Sequence, residues 1–328
     1  MTSVESPWFW GGFIGVVLML LALDLGVFHR RAHSVGPREA MLWSLVWVTL
    51  SLSFGTWIYL HLGSQKGLEF FTGYLIEYAL SVDNVFVFVL IFSYFAVPRQ
   101  LHHRVLFWGI LGALVMRAAF ILIGAALLHA FHWVIYVFGA FLIYTGIKIF
   151  RHGDTKVEPD RNPVVRFFRR VVPMVAHYGG GGFFVRHGGR WLATPLAVVL
   201  VTVETTDVVF AIDSIPAIFA ITADPFIVYT SNVCAILGLR SMYFLIAAVV
   251  NRFAYLSTGL GVVLMFVGVK MVLSDICKIP IFISLGVVAA ILVASVAASL
   301  LWPPRGTQVP PVPRPTLAGP EPGIEPDI

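Results

Sequence analysis

Six residues in two apolar stretches have the chemistry to hold a cation between them. Glu77, Asp83 and Asn84 lie in EYALSVDNVFVFVLIF, and Glu204, Asp207 and Asp213 lie in VETTDVVFAIDSIPAIFA, where Ser214 adds a hydroxyl. All ten histidines fall in loops or at the ends of apolar blocks, and the two cysteines, Cys234 and Cys277, are isolated. Oxygen donors without imidazole or thiolate suit Mn2+, Mg2+ or Ca2+ better than Zn2+ or copper. Composition leaves the choice among those three open. On an unbroken helix Glu204 and Asp207 share a face, whereas Asp213 is turned away from Asp207, and Asp83 from Glu77. Either the acids face different partners or their helices are interrupted. Pro216 predicts an interruption, because it has no amide hydrogen for the Ile212 carbonyl; the freed oxygen would be a further ligand.

Two other acids have simpler readings. Asp24, in LALDLGVF, is either an accessory to the set or a carboxylate snorkelling to the interface. Asp224, before Pro225, reads as a helix N-cap. For the central acids the plain structural explanation is neutralisation by Arg117, Arg240, Lys148 and Lys270, with each arginine holding one acid. That explanation covers part of the set. It does not say why ionisable groups that cost ~2.5–3.5 kcal/mol or more apiece are kept at the centre of a membrane, where such clusters mark ion pathways.

The elements that must carry these residues are membrane spans. Apolar residues form 59% of the chain and charged residues 12%, about half of what a soluble domain carries. Mean hydropathy is +0.89. The apolar length falls into nine blocks, at about 8–28, 41–60, 68–95, 103–128, 133–150, 195–222, 225–250, 254–273 and 280–302. Each approaches or exceeds the ~20 residues that cross ~30 Å of hydrocarbon. The leader MTSVESP has no basic region, so the first block reads as a span and not as a cleaved signal. Connections alternate between basic segments and segments holding only Lys66 and Lys278, which predicts an outside N-terminus and a cytoplasmic C-terminus. The net charge of +5 is then topogenic charge facing anionic lipid, with no call for a nucleic-acid partner. The 151–193 connection reads as a cytoplasmic linker lying on the membrane through RFFRRVV, in preference to a small regulatory fold. The Pro-rich 303–328 segment reads as a disordered tail, and both are candidate sites for protein partners.

The two acidic stretches belong to a repeat. ILGALVMRAAFILI, with Arg117, answers AILGLRSMYFLI, with Arg240; GAFLIYTGIK, from Gly139 to Lys148, answers GVVLMFVGVK, from Gly261 to Lys270. Spans 3–5 (about 68–150) and 6–8 (about 194–273) are therefore two copies of a three-helix unit. Because three is odd, the second copy enters from the opposite side, an arrangement of transporters whose site lies at the repeat interface. Counting from Pro195, Glu204 and Asp207 lie ~14–18 Å into the membrane. The fold class is thus an all-α integral membrane protein of about nine transmembrane helices in one 1–302 domain. It has an inverted repeat and discontinuous helices at mid-membrane.

LALDLGVFHRRAHSV, EYALSVDNVFVF, VETTDVVFAIDSIPAIFAIT, DPFIVYTSNVCAILGLRSMYFLI and GVKMVL resemble the TerC family of integral membrane proteins, named for tellurium resistance. The likeness runs from about residue 20 to residue 300. It implies a bacterial inner-membrane protein of a superfamily of amino-acid and metal exporters, with members associated with manganese efflux. By motif match it makes Glu77, Asp83, Asn84, Glu204, Asp207 and Asp213 the metal-path residues. The word manganese comes from the resemblance; the residues alone give a hard cation. The expected function is export of Mn2+ in exchange for protons, with no bound cofactor and no enzymatic activity. A P-loop is absent, which argues against ATP drive, and the GxGD context of intramembrane aspartyl proteases is missing. Oxyanion transport through Arg117 and Arg240 conflicts with a path lined by carboxylates. The alternative is a membrane scaffold in a stress-resistance complex, without transport.

Overall fold

The computed structural model describes residues 7–26, 36–152, 162–175, 178, 181–187, 190–247, 255–277 and 279–301. The 303–328 tail and part of the 151–193 connection lie outside the described residues. Over the described residues each of the nine apolar blocks is helical. They form α1 (Pro7–Gly26), α2 (Pro37–His61), α3 (Ser64–Tyr94), α4 (Arg99–Ala130) and α5 (Val134–His152). After the connection come α7 (Pro195–Phe219), α8 (Pro225–Leu237) with α9 (Leu239–Ala247), α10 (Leu256–Val272) and α11 (Ile281–Leu301). Six of these helices are long and apolar enough to cross a membrane by themselves. The other three blocks hold shorter apolar helices over Pro7–Ala22, Pro225–Leu237 and Leu256–Val272.

Local sequence sets the starts. Asp224 caps α8, its Oδ1 accepting from the Phe226 amide at 3.0 Å, and Pro225 opens the first turn. Its other oxygen accepts from Lys66 Nζ at 2.6 Å, tying the start of α8 to the start of α3. Thr194 is extended before Pro195, as the start of α7 requires. Its hydroxyl does not cap the helix; it donates to the Gly182 carbonyl at 2.7 Å.

The predicted interruption at Pro216 is absent: α7 runs unbroken to Phe219. Pro216 sits within the last turn, so the one bond it withholds, to the Ile212 carbonyl, falls near the helix end and does not divide the helix. The break at mid-membrane depth is in the seventh span. There Gly238 separates α8 from α9, thirteen residues (~20 Å) after Pro225.

The repeat is visible in the packing. The first helix of each unit packs chiefly on the second span of the other, α3 on α8 and α7 on α4. The third helices, α5 and α10, pair along most of their length. Glycines make that approach possible. A Cβ on Gly139 would lie 3.0 Å from the Gly268 carbonyl oxygen, and one on Gly146 only 2.6 Å from that of Gly261. The order of these contacts, Gly139 with Gly268 and Gly146 with Gly261, makes α5 and α10 antiparallel. An antiparallel α10 requires α8 and α9 to make one crossing between them, as an inverted second unit demands.

The expected linker is in part a folded cap. Asn162 caps α6 (Pro163–Val171), accepting from the Val164 and Val165 amides at 2.9 and 3.3 Å. Strands β1 (Phe184–His187) and β2 (Arg190–Ala193) pair antiparallel, Phe184 opposite Ala193 and His187 opposite Arg190. The cap is fastened to three helices: Arg104 donates to the Gly181 carbonyl at 2.7 Å, the Tyr178 hydroxyl to Phe95 at 2.5 Å, and Asn162 Nδ2 to Thr205 Oγ1 at 3.0 Å. Two apolar clusters fill the bundle. One joins α1 to α4 with α6 to α9; the other joins α3, α4, α5, α7, α8, α10 and α11.

Candidate functional site

Where the two units meet, Arg117 is the largest fully buried side chain among the described residues. It projects from the middle of α4 and gathers partners from three other helices. Nη1 donates to Glu77 Oε1 of α3, to Asn232 Oδ1 of α8 at 3.0 Å and to Ser214 Oγ of α7 at 3.4 Å. Nη2 donates to Asp207 Oδ1 of α7 at 3.3 Å. Asn232 completes the ring, its Nδ2 donating to Glu77 Oε2 at 3.2 Å. Glu77 and Asp207 are the matched first acids of the two repeats. Both lie about half-way through their helices, ~20 Å from the start of α3 and ~18 Å from the start of α7.

Neutralisation is therefore not one arginine per acid. A single guanidinium, 1% exposed, serves two carboxylates whose side chains are 0% and 9% exposed. Two buried polar atoms, Arg117 Nε and Asp207 Oδ2, find no hydrogen-bond partner among the described residues. Both side chains line a small cavity of about 10 Å³ among α4, α7 and α8, walled by Gly109, Ala113, Val203 and Ile236. That is room for about one water-sized body.

The remaining predicted residues lie around this centre. Glu204, half-buried one turn before Asp207, rests its carboxylate on Gly112 of α4, where any Cβ would overlap it. Asp213 accepts from Thr145 Oγ1 of α5 at 3.2 Å. Asn84 is buried on α3, and Arg240 is buried at the head of α9. The side chains of Asp24 and Asp83 lie outside the described residues. Among the described residues no three His, Cys, Asp or Glu side chains come together as a metal-holding group. The centre is an ion-pair network of mixed sign. Sequence reasoning missed Asn232, Thr145 and Gly112. A carboxamide deep inside an apolar block was a signal for Asn232, but nothing at the sequence level marked the other two.

Fold and site together define a multi-pass helical membrane protein in which two inverted repeats meet at a buried charged centre. The chain belongs to the integral membrane protein TerC family, whose sequence profile matches residues 62–307. It is 54% identical to an uncharacterized membrane protein of Myxococcus xanthus, over 91% of this chain and 94% of that protein. It is 51% identical to a protein of Escherichia coli K12 named for a membrane-bound redox modulator role, Alx, over 89% and 94% of the two chains. A membrane protein of Rickettsia bellii is 39% identical over 89% and 97%. No solved structure matches.

Proposed function

We propose that this protein is a secondary transporter that exports a hard divalent cation, Mn2+ foremost, in exchange for protons. The observation that carries this reading is the meeting of Glu77 and Asp207, one from each repeat, at the buried centre of the bundle. Ionisable groups at that depth are costly, and a merely structural core would be cheaper built from apolar side chains. Inverted repeats related across such a centre are suited to rocking past one another, exposing it to each face in turn. Glu204 and Asp213 lie on either side of Asp207 along α7, and Asp83 and Asn84 follow Glu77 along α3, so in this reading they are the residues that would pass the ion to and from the centre.

The bilayer and the cation are the partners this reading requires, in an inner-membrane protein with its N-terminus outside. Flux of Mn2+, Mg2+ and Ca2+ into vesicles holding the purified protein, with and without a pH gradient, tests it. Wild type should move Mn2+ faster when the opposing side is acidic, and Asp207→Asn and Asp213→Asn should not. Equal flux in all three would sink the reading. Removing 303–328 tests the scaffold alternative, in which stress resistance follows the tail and ignores the acids. The redox role in the name of the Escherichia coli relative finds little support in the thiols, since Cys234 is buried and Cys277 exposed, and each is free.

A further inference from the structure

We infer that Arg117 is an internal cation occupying the substrate's place: its guanidinium clamps the empty site across the repeat interface, and the transported cation must displace it. The inference rests on the transport reading for its meaning, and on three observations for its substance. First, Arg117 bonds the very carboxylates that face each other across the interface, with Ser214 and Asn232 completing an oxygen shell. A guanidinium in that shell and a divalent cation in that shell are mutually exclusive. Second, the clamp is incomplete. Asp207 Oδ2 and Arg117 Nε are buried without partners among the described residues, beside the cavity among α4, α7 and α8. A purely structural ion pair at this depth persists when its remaining lone pairs and protons are satisfied. Here one carboxylate oxygen is left available to an incoming ion. Third, the bonds from Arg117 run to α3, α7 and α8 and so tie one unit to the other. Their release on cation binding would free the units to move, which couples occupancy to access.

The role also solves a charge problem. Two bare carboxylates cannot recross the membrane centre cheaply after the cation has left. The guanidinium offsets one of the two charges for the return, and a proton taken up in exchange offsets the other.

Arg117→Gln separates this from a fixed structural role. In a Mn2+ titration of the purified protein, read as the rise in melting temperature, the midpoint should fall roughly tenfold or more, because the competitor is gone. In vesicles, Arg117→Gln should retain exchange of labelled for unlabelled Mn2+ while losing net downhill flux. Arg117→Lys keeps a charge but not the bridging fork, and should give an intermediate midpoint with net flux preserved. If Arg117→Gln does not fold, the Arg117→Lys midpoint decides alone. A midpoint equal to or above wild type in the folded variants overturns the inference, as does an unchanged ratio of net flux to exchange. Should wild type move no cation while the midpoints still shift, the transport reading falls and the displacement stands.

Discussion

At the scale of single residues, the charged centre is a shared account of one guanidinium and two carboxylates, and removal of one member is not a symmetric event. Glu77→Ala leaves a buried guanidinium with only Asp207 as countercharge, and should cost ~3–5 kcal/mol by the behaviour of broken buried pairs. A fall in the melting temperature of the detergent-solubilised protein measures it. Asn232→Leu removes a donor to Glu77 and an acceptor from Arg117, and should cost ~1–3 kcal/mol in the same experiment. Thr145→Val strips one hydrogen bond from half-buried Asp213 and should cost less than either, ~1 kcal/mol. The acids themselves were legible as a chemical set, because carboxylates in an apolar block have no ordinary reason to be there. How Arg117 distributes itself was not legible. Its reach to both repeats depends on α3 packing on α8 and α7 on α4, which residue spacing along one helix does not encode.

The helices repeat the lesson in a different form. The antiparallel contact of α5 with α10 rests on backbone approach at glycines, so Gly146→Val should push the pair apart and cost ~1–3 kcal/mol, read as earlier melting. Block positions and the repeat were readable because both are properties of hydropathy and order. The site of the break was not. In the first unit Gly112 precedes Arg117 by five residues, whereas in the second Gly238 precedes Arg240 by two. Losing three residues turns a helix ~60° short of a full turn. The helical path of the second unit is interrupted at that point, between α8 and α9. The visible proline, Pro216, was the weaker breaker because it stands so near a helix end. In the cap, burial and apolar surroundings raise the Tyr178 hydroxyl from its ordinary value near 10 up to about 12. A raised tyrosine stabilises the folded form fully below pH 10, and that contribution is lost as pH climbs through 12. Hydrogen exchange of the β1–β2 amides should therefore speed up between those values in wild type, beyond the intrinsic rise, and Tyr178→Phe should abolish the extra step.

For the molecule as a whole, orientation is the property that most directly links the sequence to its work. In the proposed orientation, read from the charge asymmetry between connections, the segment after α10 lies outside and the cap inside. Cys277 is exposed in that outer segment and Cys234 is buried on α8. A membrane-impermeant maleimide added to intact cells should label Cys277 and leave Cys234 unmodified; labelling of Cys277 only after lysis would reverse the topology. The interleaving of the units bears on how the chain is made. Glu77 and Arg117 belong to the first unit, while Asp207 follows Arg117 by 90 residues. At ribosomal speeds of ~5–20 residues per second that interval lasts roughly 5–20 s. Over that interval Glu77, on the neighbouring α3, is the one acidic partner of Arg117 already made, so α3 and α4 can carry a one-to-one pair of opposite charge. On a chain made in this order the arginine that later bridges both halves would pair first with the glutamate beside it, and so would offset part of the cost of placing that glutamate in lipid.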